Sequence, residues 1–312
     1  MQSRLRQFLL AVVLACAAQS VFATPPVPLL WKVSDADNSV YLLGSFHLLK
    51  PGDYPLSRDV DDAFADSESV VFELPPDEIG SPALAIKMGQ AALRTDGSQL
   101  DSDLSPALRR QLQQWEEANA EALEKVSLAP QMLQLFEPWF VGLTVSLIDM
   151  STQGLDPKLG LDQHFAELAT SKGKPTSGLE TGAQQIAFLD GMDHVEQLQF
   201  LGEALTESGE GRQELEALHA AWRAGDSATL WNGMGADMKR NYPKLYQRID
   251  VERNDAWVPK IEQRLKAPGH DDTLFVVGAL HLLGVDGVVE KLRAKGYKVE
   301  RICTGCPTGA GV

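Results

Sequence analysis

The chain has 312 residues, 44% of them hydrophobic, and a formal net charge of −15. This length and apolar fraction are ample for a buried core and correspond to one large domain or two small ones. A chain this acidic is repelled by nucleic acid and by anionic lipid headgroups, so we exclude DNA, RNA and electrostatic membrane docking.

The first 23 residues are predicted to be a secretory signal peptide. They hold two arginines, an apolar run, and the sequence Val-Phe-Ala, whose valine and alanine stand at the −3 and −1 positions of a cleavage site. Cleavage after Ala23 leaves a single mature domain, 24–312, which we expect in the periplasm or secreted. A lipoprotein signal through Cys16 is the less favoured alternative.

The mature chain is predicted to lack a transmembrane segment. Its longest apolar stretch, WFVGLTVSLI at 139–148, is about half the length that a bilayer requires. We interpret this stretch as a buried helix.

The predicted elements begin with a hairpin. The segment 30–45 reads as two strands around an Asp-Ala-Asp-Asn turn, and the second strand leads towards His47. A short helix at 59–68 follows. A buried strand, SVVFELPP at 69–76, then carries Glu73 ahead of two prolines.

Helical periodicity dominates the middle of the chain. It runs from about 81 to 151 and is clearest after Ser105, the expected N-cap, with Pro106 at the first helical position. A short strand at 175–180 is expected to end on Glu180. The other predicted helices are 161–174, closed by Gly173, then 184–231 with glycine-rich breaks, and 251–265.

The chain closes with a strand, TLFVVGALH at 273–281, and then a helix, a turn and a last strand within 287–302. Strands therefore lie at both ends and helices between them. This order predicts an α/β fold, with a central mixed β-sheet built from both chain ends and a large helical insertion.

Two segments near opposite ends of the chain share one frame. In both, a histidine stands three positions after a glycine: His47 after Gly44, and His281 after Gly278. We expect each glycine to let the backbone turn at a strand end, so that the histidine points into the space where α/β sheets bind ligands. The segments are YLLGSFHLL (41–49) and FVVGALHLL (275–283).

These histidines and two glutamates are the candidate site. His47, Glu73, Glu180 and His281 are all expected at strand ends, and two imidazoles with carboxylates suit a divalent metal such as zinc, manganese or iron. A spare glutamate could serve as the base for metal-activated water. The alternative is that each histidine merely bonds a nearby carbonyl and each glutamate is a solvated strand end. No nucleotide-binding glycine loop occurs, so nucleotide binding is not expected.

Cys303 and Cys306 form a C-x-x-C pair near the C-terminus. In an oxidising compartment this pair favours a small structural disulfide. A redox pair is disfavoured by Pro307 and Gly309, and half a zinc site by the lack of a second cysteine pair.

The chain resembles the TraB/GumN family, which is related to the Tiki metalloproteases. The resemblance rests on the two G-x-x-H frames together with FELPP, GLD at 160–162, GLET at 178–181 and RNDAW at 253–257. It implies a mixed α/β fold similar to that of erythromycin-esterase-like and ChaN-like proteins.

The resemblance also implies a metal-dependent hydrolytic site, in the Tiki branch a peptidase that uses manganese or cobalt. Carried over to this chain, the ligands are His47, His281 and Glu73. Arg253 would steady a carboxylate or an oxyanion, and Glu180 extends the pattern as a further catalytic residue. We therefore expect an exported metal-dependent hydrolase acting on a peptide or a small molecule, with zinc as a further possible metal.

Two other classes of protein fit the same residues. A non-catalytic protein would use the cleft to hold a ligand or a haem-like cofactor. An accessory protein of polysaccharide biosynthesis, of the GumN type, would need neither histidine for its role.

Overall fold

The computed structural model of the chain describes residues 24–210 and 212–306. The predicted signal peptide, Cys16 and the residues after Cys306 lie outside this part. Within it, no helix combines the length and the apolar character needed to cross a membrane.

A six-stranded mixed sheet forms the centre of the fold. Its strand order is β4-β3-β5-β2-β1-β6. Neighbours among β4, β3, β5 and β2 run parallel, whereas β1 is antiparallel to β2 and to β6. This confirms the prediction of a mixed sheet built from both ends of the chain. The strands are β1 (Leu30–Ser34), β2 (Ser39–Ser45), β3 (Ser69–Phe72), β4 (Thr176–Gly178), β5 (Thr273–Gly278) and β6 (Lys298–Arg301).

The predicted helical insertion is also confirmed, because most helices lie between β3 and β5. The α-helices are α1 (Arg58–Asp66), α2 (Pro82–Ala91), α3 (Pro106–Ala118), α4 (Ala120–Lys125), α5 (Pro130–Leu133), α6 (Pro138–Thr152), α7 (Leu161–Lys172), α8 (Gly182–Asp190), α9 (His194–Glu210), α10 (Arg212–Ala224), α11 (Ser227–Leu230), α12 (Asp237–Asn241), α13 (Pro243–Tyr246), α14 (Glu252–Leu265) and α15 (Val288–Ala294). Two π-helical segments, Trp231–Ala236 and Gln247–Val251, interrupt the series.

Local sequence signals explain where these helices begin and end. The Ser105 hydroxyl accepts a hydrogen bond from the Leu108 N–H, which caps α3 as predicted. Gly173 ends α7 with a φ of 67°, a left-handed conformation that favours glycine. The apolar α6 packs into the insertion's own core, where Trp139 is 0% exposed.

The register of β2 and β5 fixes the place of both histidine loops. Ser45 pairs with Gly278 across this parallel pair, so the two strands end at the same level. β3 and β4 are parallel to them and end at the same edge of the sheet. The four predicted site residues therefore follow strands whose carboxyl ends share one edge.

Several boundaries differ from the prediction, three of them around the glycine and glutamate positions of the candidate site. β4 ends at Gly178, two residues before Glu180, because the chain turns there towards α8. β5 ends at Gly278, and His281 lies in a 3₁₀ turn, Ala279–Leu282. Gly44 does not end its strand, since β2 continues to Ser45.

The C-terminal strand is followed by a covalent link. Cys303 and Cys306 form a disulfide, with Cα atoms 5.4 Å apart.

A buried ionic cluster joins the loop after His47 to α10. Asp53 is 1% exposed and accepts hydrogen bonds from the Lys50 N–H, from Arg223 and from His219 Nε2 at 2.8 Å. His219 lies on the helix α10, and its ring is buried against this carboxylate rather than exposed on the surface.

We predict that Asp53→Asn lowers the free energy of unfolding by about 2–4 kcal/mol at neutral pH, since it removes the charge from a hydrogen-bonded buried cluster. Burial raises the pKa of Asp53, but its hydrogen bonds outweigh burial and hold the pKa below its usual value. The wild-type advantage should therefore be full above the ordinary carboxyl pKa, near ~4, and vanish as the pH falls through the lowered folded value. Denaturant unfolding of both proteins across pH measures the difference in free energy of unfolding. A difference that grows on acidification would contradict the role of Asp53 as an ionised member of this cluster.

Candidate functional site

The parallel edge of the sheet brings the predicted site residues together. His47 follows β2, Glu73 follows β3, Glu180 follows β4 and His281 follows β5. Arg253, from the first turn of α14, contacts three of these four side chains.

His47 is oriented by a carboxylate that the sequence did not single out. Its Nδ1 lies 2.7 Å from Asp162 Oδ2 on α7. The buried Ser45 hydroxyl donates to the same oxygen at 2.5 Å. With the Nδ1 proton directed at Asp162, Nε2 faces the cleft, where the side chain is 56% exposed. The carboxylate of Asp162 also raises the pKa of His47 to about 9, because it stabilises the imidazolium form.

The sequence GLD at 160–162 has a steric explanation. A Cβ on Gly160 would lie 2.1 Å from the carbonyl oxygen of His47, so only glycine allows α7 to begin against this loop. The Leu161 N–H donates to the Phe46 carbonyl at 3.1 Å. These two contacts bring Asp162, one residue later, within reach of the His47 ring.

His281 is anchored in a similar way, but from α14. Its Nδ1 lies 2.8 Å from Asn254 Oδ1 and 3.1 Å from Asp250 Oδ1. Both neighbours are acceptors, so the hydrogen-bond network assigns the proton to Nδ1. Nε2 then has a lone pair, which accepts a hydrogen bond from Arg253 Nη1 at 3.0 Å. Trp257 packs on the ring with centroids 4.4 Å apart.

Glu73 is an ionised carboxylate with one oxygen at the cleft. Its Oε1 accepts the Gly278 N–H at 2.7 Å, and its Oε2 accepts Arg253 Nη2 at 2.5 Å. Burial raises the pKa of Glu73, but the positive charge of Arg253, joined at low pH by that of the two protonated imidazoles, outweighs burial and lowers the pKa below its usual range. A carboxylate so easily ionised suits the binding of a cation better than the uptake of a proton at neutral pH.

Glu180 has a different environment, in which its lone pairs are already used. Oε1 accepts from Arg253 Nε at 2.9 Å and from Trp257 Nε1 at 2.8 Å, and Oε2 accepts from Arg253 Nη2 at 2.8 Å. Gln185 adds a longer contact of 3.3 Å. The guanidinium also lies over the Trp257 ring, 4.8 Å from its centroid. This bidentate pair fixes the position of Arg253.

A cleft opens in front of these residues. Its volume is about 530 Å³, within the range that is usual for small-ligand sites. The residues that line it include His47, Glu73 and Asp162, together with Leu74, Ile79, Pro157, Lys158 and Gln185.

The donors converge on a small space above Gly278. A Cβ on Gly278 would lie 3.1 Å from Glu73 Oε1 and 3.4 Å from His47 Nε2. The same position is 3.5 Å from Cδ2 of His281. Glycine therefore leaves open a cradle bordered by one carboxylate oxygen and two imidazoles, and this donor set is chemically suited to a divalent transition metal.

The candidate ligand atoms do not surround this space in the way that the ligands of a bound metal ion do. His281 Nε2 and Glu73 Oε1 are 4.0 Å apart, which is wider than the roughly 3.3–3.6 Å between two ligands held about 2.0–2.2 Å from one ion in tetrahedral geometry. In residues 24–210 and 212–306, no group of three or more His, Cys, Asp or Glu side chains stands ready to hold a metal ion. The donor chemistry fits a cation, whereas the His281 lone pair is directed at Arg253.

Sequence reasoning missed four polar residues of this site. Asp162 and Asn254 lie within the quoted GLD and RNDAW motifs, so the signal was present but was not assigned a role. Asp250 and Gln185 stand in helical stretches, where an acidic or amide residue is ordinarily expected at the surface. No pattern in the sequence marks these two.

The chain was compared with known families and proteins. The model of the TraB/PrgY/gumN family matches residues 29–301. Among curated proteins, the chain is similar to metalloprotease TIKI1 of Danio rerio, with 24% identity over 322 residues, covering 89% of this chain and 64% of that protein. The chain thus spans less than two thirds of the length of this relative. No solved structure matches.

We predict that Gly160→Ala destabilises the protein by about 1–3 kcal/mol, because the new methyl group must push the His47 carbonyl away from α7. Gly89→Ala is the matched control: it lies in α2, where a Cβ has nothing within 4 Å, and it should be neutral or stabilising by up to about 1 kcal/mol. Chemical denaturation of both variants measures the change in free energy of unfolding. Equal changes in the two variants would show that α7 does not pack tightly against the His47 loop.

Proposed function

The chain belongs to the TraB/PrgY/gumN family, and on that premise we propose that it is a metal-dependent hydrolase with peptidase activity. The observation that carries the proposal is the cradle above Gly278. There one ionised carboxylate oxygen and Nε2 of His47 border the same small space as the ring edge of His281 at Cδ2, and each imidazole is anchored through Nδ1.

Three side chains would hold the cation in this proposal: His47 and His281 through Nε2, and Glu73 through Oε1. Because the pKa of His47 is raised to about 9, this ring would have to release its Nε2 proton when the cation binds. A bound divalent cation supplies an acidified water for attack on a carbonyl and polarises that carbonyl. Manganese and cobalt are the metals expected from the family resemblance, and zinc is compatible with the same donors.

Arg253 and Glu180 would act on the charges around the cation. Arg253 keeps Glu73 ionised and stands ready to stabilise negative charge that develops on a substrate oxygen. Glu180 contacts Arg253 through both oxygens. We therefore assign Glu180 to positioning the guanidinium rather than to proton transfer.

The proposed substrate is a polypeptide. The zebrafish relative is named a metalloprotease, and the cleft beside His47 is large enough to take a few residues of an extended chain. We also propose that residues 24–312 form one exported domain, with 1–23 as the cleaved signal and the periplasm or the exterior as its location.

One observation favours a second candidate, a non-catalytic ligand-binding or polysaccharide-biosynthesis accessory protein. Arg253 already forms ion pairs with Glu73 and Glu180 and donates to His281 Nε2. Glu73 and His281 therefore each have a hydrogen-bonding partner without a metal. A protein that retained this network only for stability would need no cation.

We predict that the mature protein binds one equivalent of Mn²⁺ or Co²⁺ and that Gly278→Ala weakens binding at least about tenfold, because its methyl group fills the cradle. The backbone of Gly278, with φ −50° and ψ 134°, suits alanine. Isothermal titration calorimetry measures affinity, and thermal unfolding without metal should give a midpoint near that of wild type.

His47→Ala and His281→Ala should each remove the same binding. Binding that survives all three changes would place the cation elsewhere. If wild type binds no divalent cation at all, the accessory or ligand-binding function is the one to pursue.

We predict that Glu73→Gln lowers the metal-dependent cleavage of a peptide library by about 10²-fold or more, since the amide cannot supply the charge that the cation and Arg253 require. Glu262→Gln is the control, because Glu262 contacts Lys266, Lys295 and Tyr297 near the end of α14. Mass spectrometry of the products measures turnover. Undiminished cleavage by Glu73→Gln would remove Glu73 from the mechanism.

A further inference from the structure

Asp250 is a buried carboxylate whose own hydrogen bonding is incomplete. The residue is 0% exposed, and within the described part of the chain its Oδ1 has no hydrogen bond of acceptable geometry. Burial of a charged oxygen without a partner is costly, so such a group calls for an explanation. In the same part of the chain, its neighbour at ion-pair distance is His281, with Nδ1 3.1 Å from this oxygen.

The position of Asp250 in the fold also points to His281. Asp250 lies in the π-helical segment Gln247–Val251, directly before α14, and π-turns within helices recur at functional sites. Asn254 stands four residues later, so the two side chains lie on one side of the helix. Both side chains contact the His281 ring.

The hydrogen bonds from Asp250 through Asn254 to His281 follow from which atoms can donate and which can accept. A carboxylate offers acceptors alone, so the Asn254 amide turns its Nδ2 towards Asp250 Oδ2, at 3.2 Å, and the Asp286 carbonyl, at 3.0 Å. Its Oδ1 is then left for His281 Nδ1 at 2.8 Å. An oxygen at this position requires a proton on Nδ1.

We propose that Asp250 is a positioning residue that fixes His281 as the Nδ1–H tautomer, both by its own charge and through the orientation of Asn254. Under the proposed function, on which the role of this tautomer rests, the unprotonated Nε2 is the atom that would bind the cation, in place of its hydrogen bond from Arg253 Nη1. Each histidine is then oriented by its own carboxylate, His47 by Asp162 and His281 by Asp250. The unpaired oxygen of Asp250 is a cost in stability that keeps the ligand in its binding form.

The test is Asp250→Asn, which preserves shape but lets an amide donor face the ring. Two-bond ¹⁵N–¹H correlation spectra of the metal-free protein report the tautomer, and His281→Gln identifies the signal. In wild type we expect the proton on Nδ1, and in Asp250→Asn a measurable gain of the Nε2–H form, limited by the Arg253 Nη1 donor that faces Nε2. The affinity for Mn²⁺ should fall about 10–100-fold, while the thermal midpoint stays equal or rises.

Asp53→Asn is the matched control, since Asp53 is another buried carboxylate that contacts a histidine. It should lower the midpoint and leave the His281 tautomer unchanged. An unchanged tautomer in Asp250→Asn, with only a loss of stability, overturns the proposal. If the tautomer shifts as expected but wild type binds no Mn²⁺, the positioning role stands and the metal-dependent hydrolase does not.

Discussion

The parallel pairing of β2 with β5 is the constraint on which the site depends. These strands come from opposite ends of the chain, and their register sets Ser45 beside Gly278. Both are buried along almost their whole length, so a shift in register would have to move apolar side chains out of the core. The same pairing carries the loops of both histidines to one edge of the sheet, where Glu73 follows the neighbouring strand. Packing energy in the sheet thus determines the distances among polar groups in the cleft.

Around that edge, each polar group is oriented by another. Asp162 holds His47, Asn254 holds His281, and Glu180 holds Arg253. Such support holds reactive side chains in one geometry before any ligand arrives, which lowers the reorganisation that binding requires. The arrangement has a second consequence. Because Arg253 contacts both Glu73 and His281, it stabilises the carboxylate and also occupies the lone pair of a proposed ligand. The guanidinium and a cation would therefore compete for His281.

The sequence supported the fold and the candidate residues to different degrees. Alternating and continuous apolar runs located the strands, and capping residues such as Ser105 and Gly173 located helix ends, because these signals are local. The equal spacing in the two G-x-x-H frames suggested equal geometry, yet Gly44 lies inside β2 and Gly278 ends β5. The role of Gly160 could not be predicted, since it depends on the approach of α7 to a loop more than a hundred residues earlier. The role of Asp250 could not be predicted for the same reason, because only the tertiary structure brings it into contact with His281.

The central claim is that one cation lies between the two histidine loops. The most direct measurement is pulsed electron paramagnetic resonance of Mn²⁺ bound to ¹⁵N-histidine-labelled protein, which detects the nitrogens that ligate the metal. The account predicts coupling to two imidazole nitrogens in wild type and to one in either His47→Ala or His281→Ala, where residual binding permits the spectrum. Bound Mn²⁺ without nitrogen coupling, or coupling that both substitutions leave intact, would contradict the account.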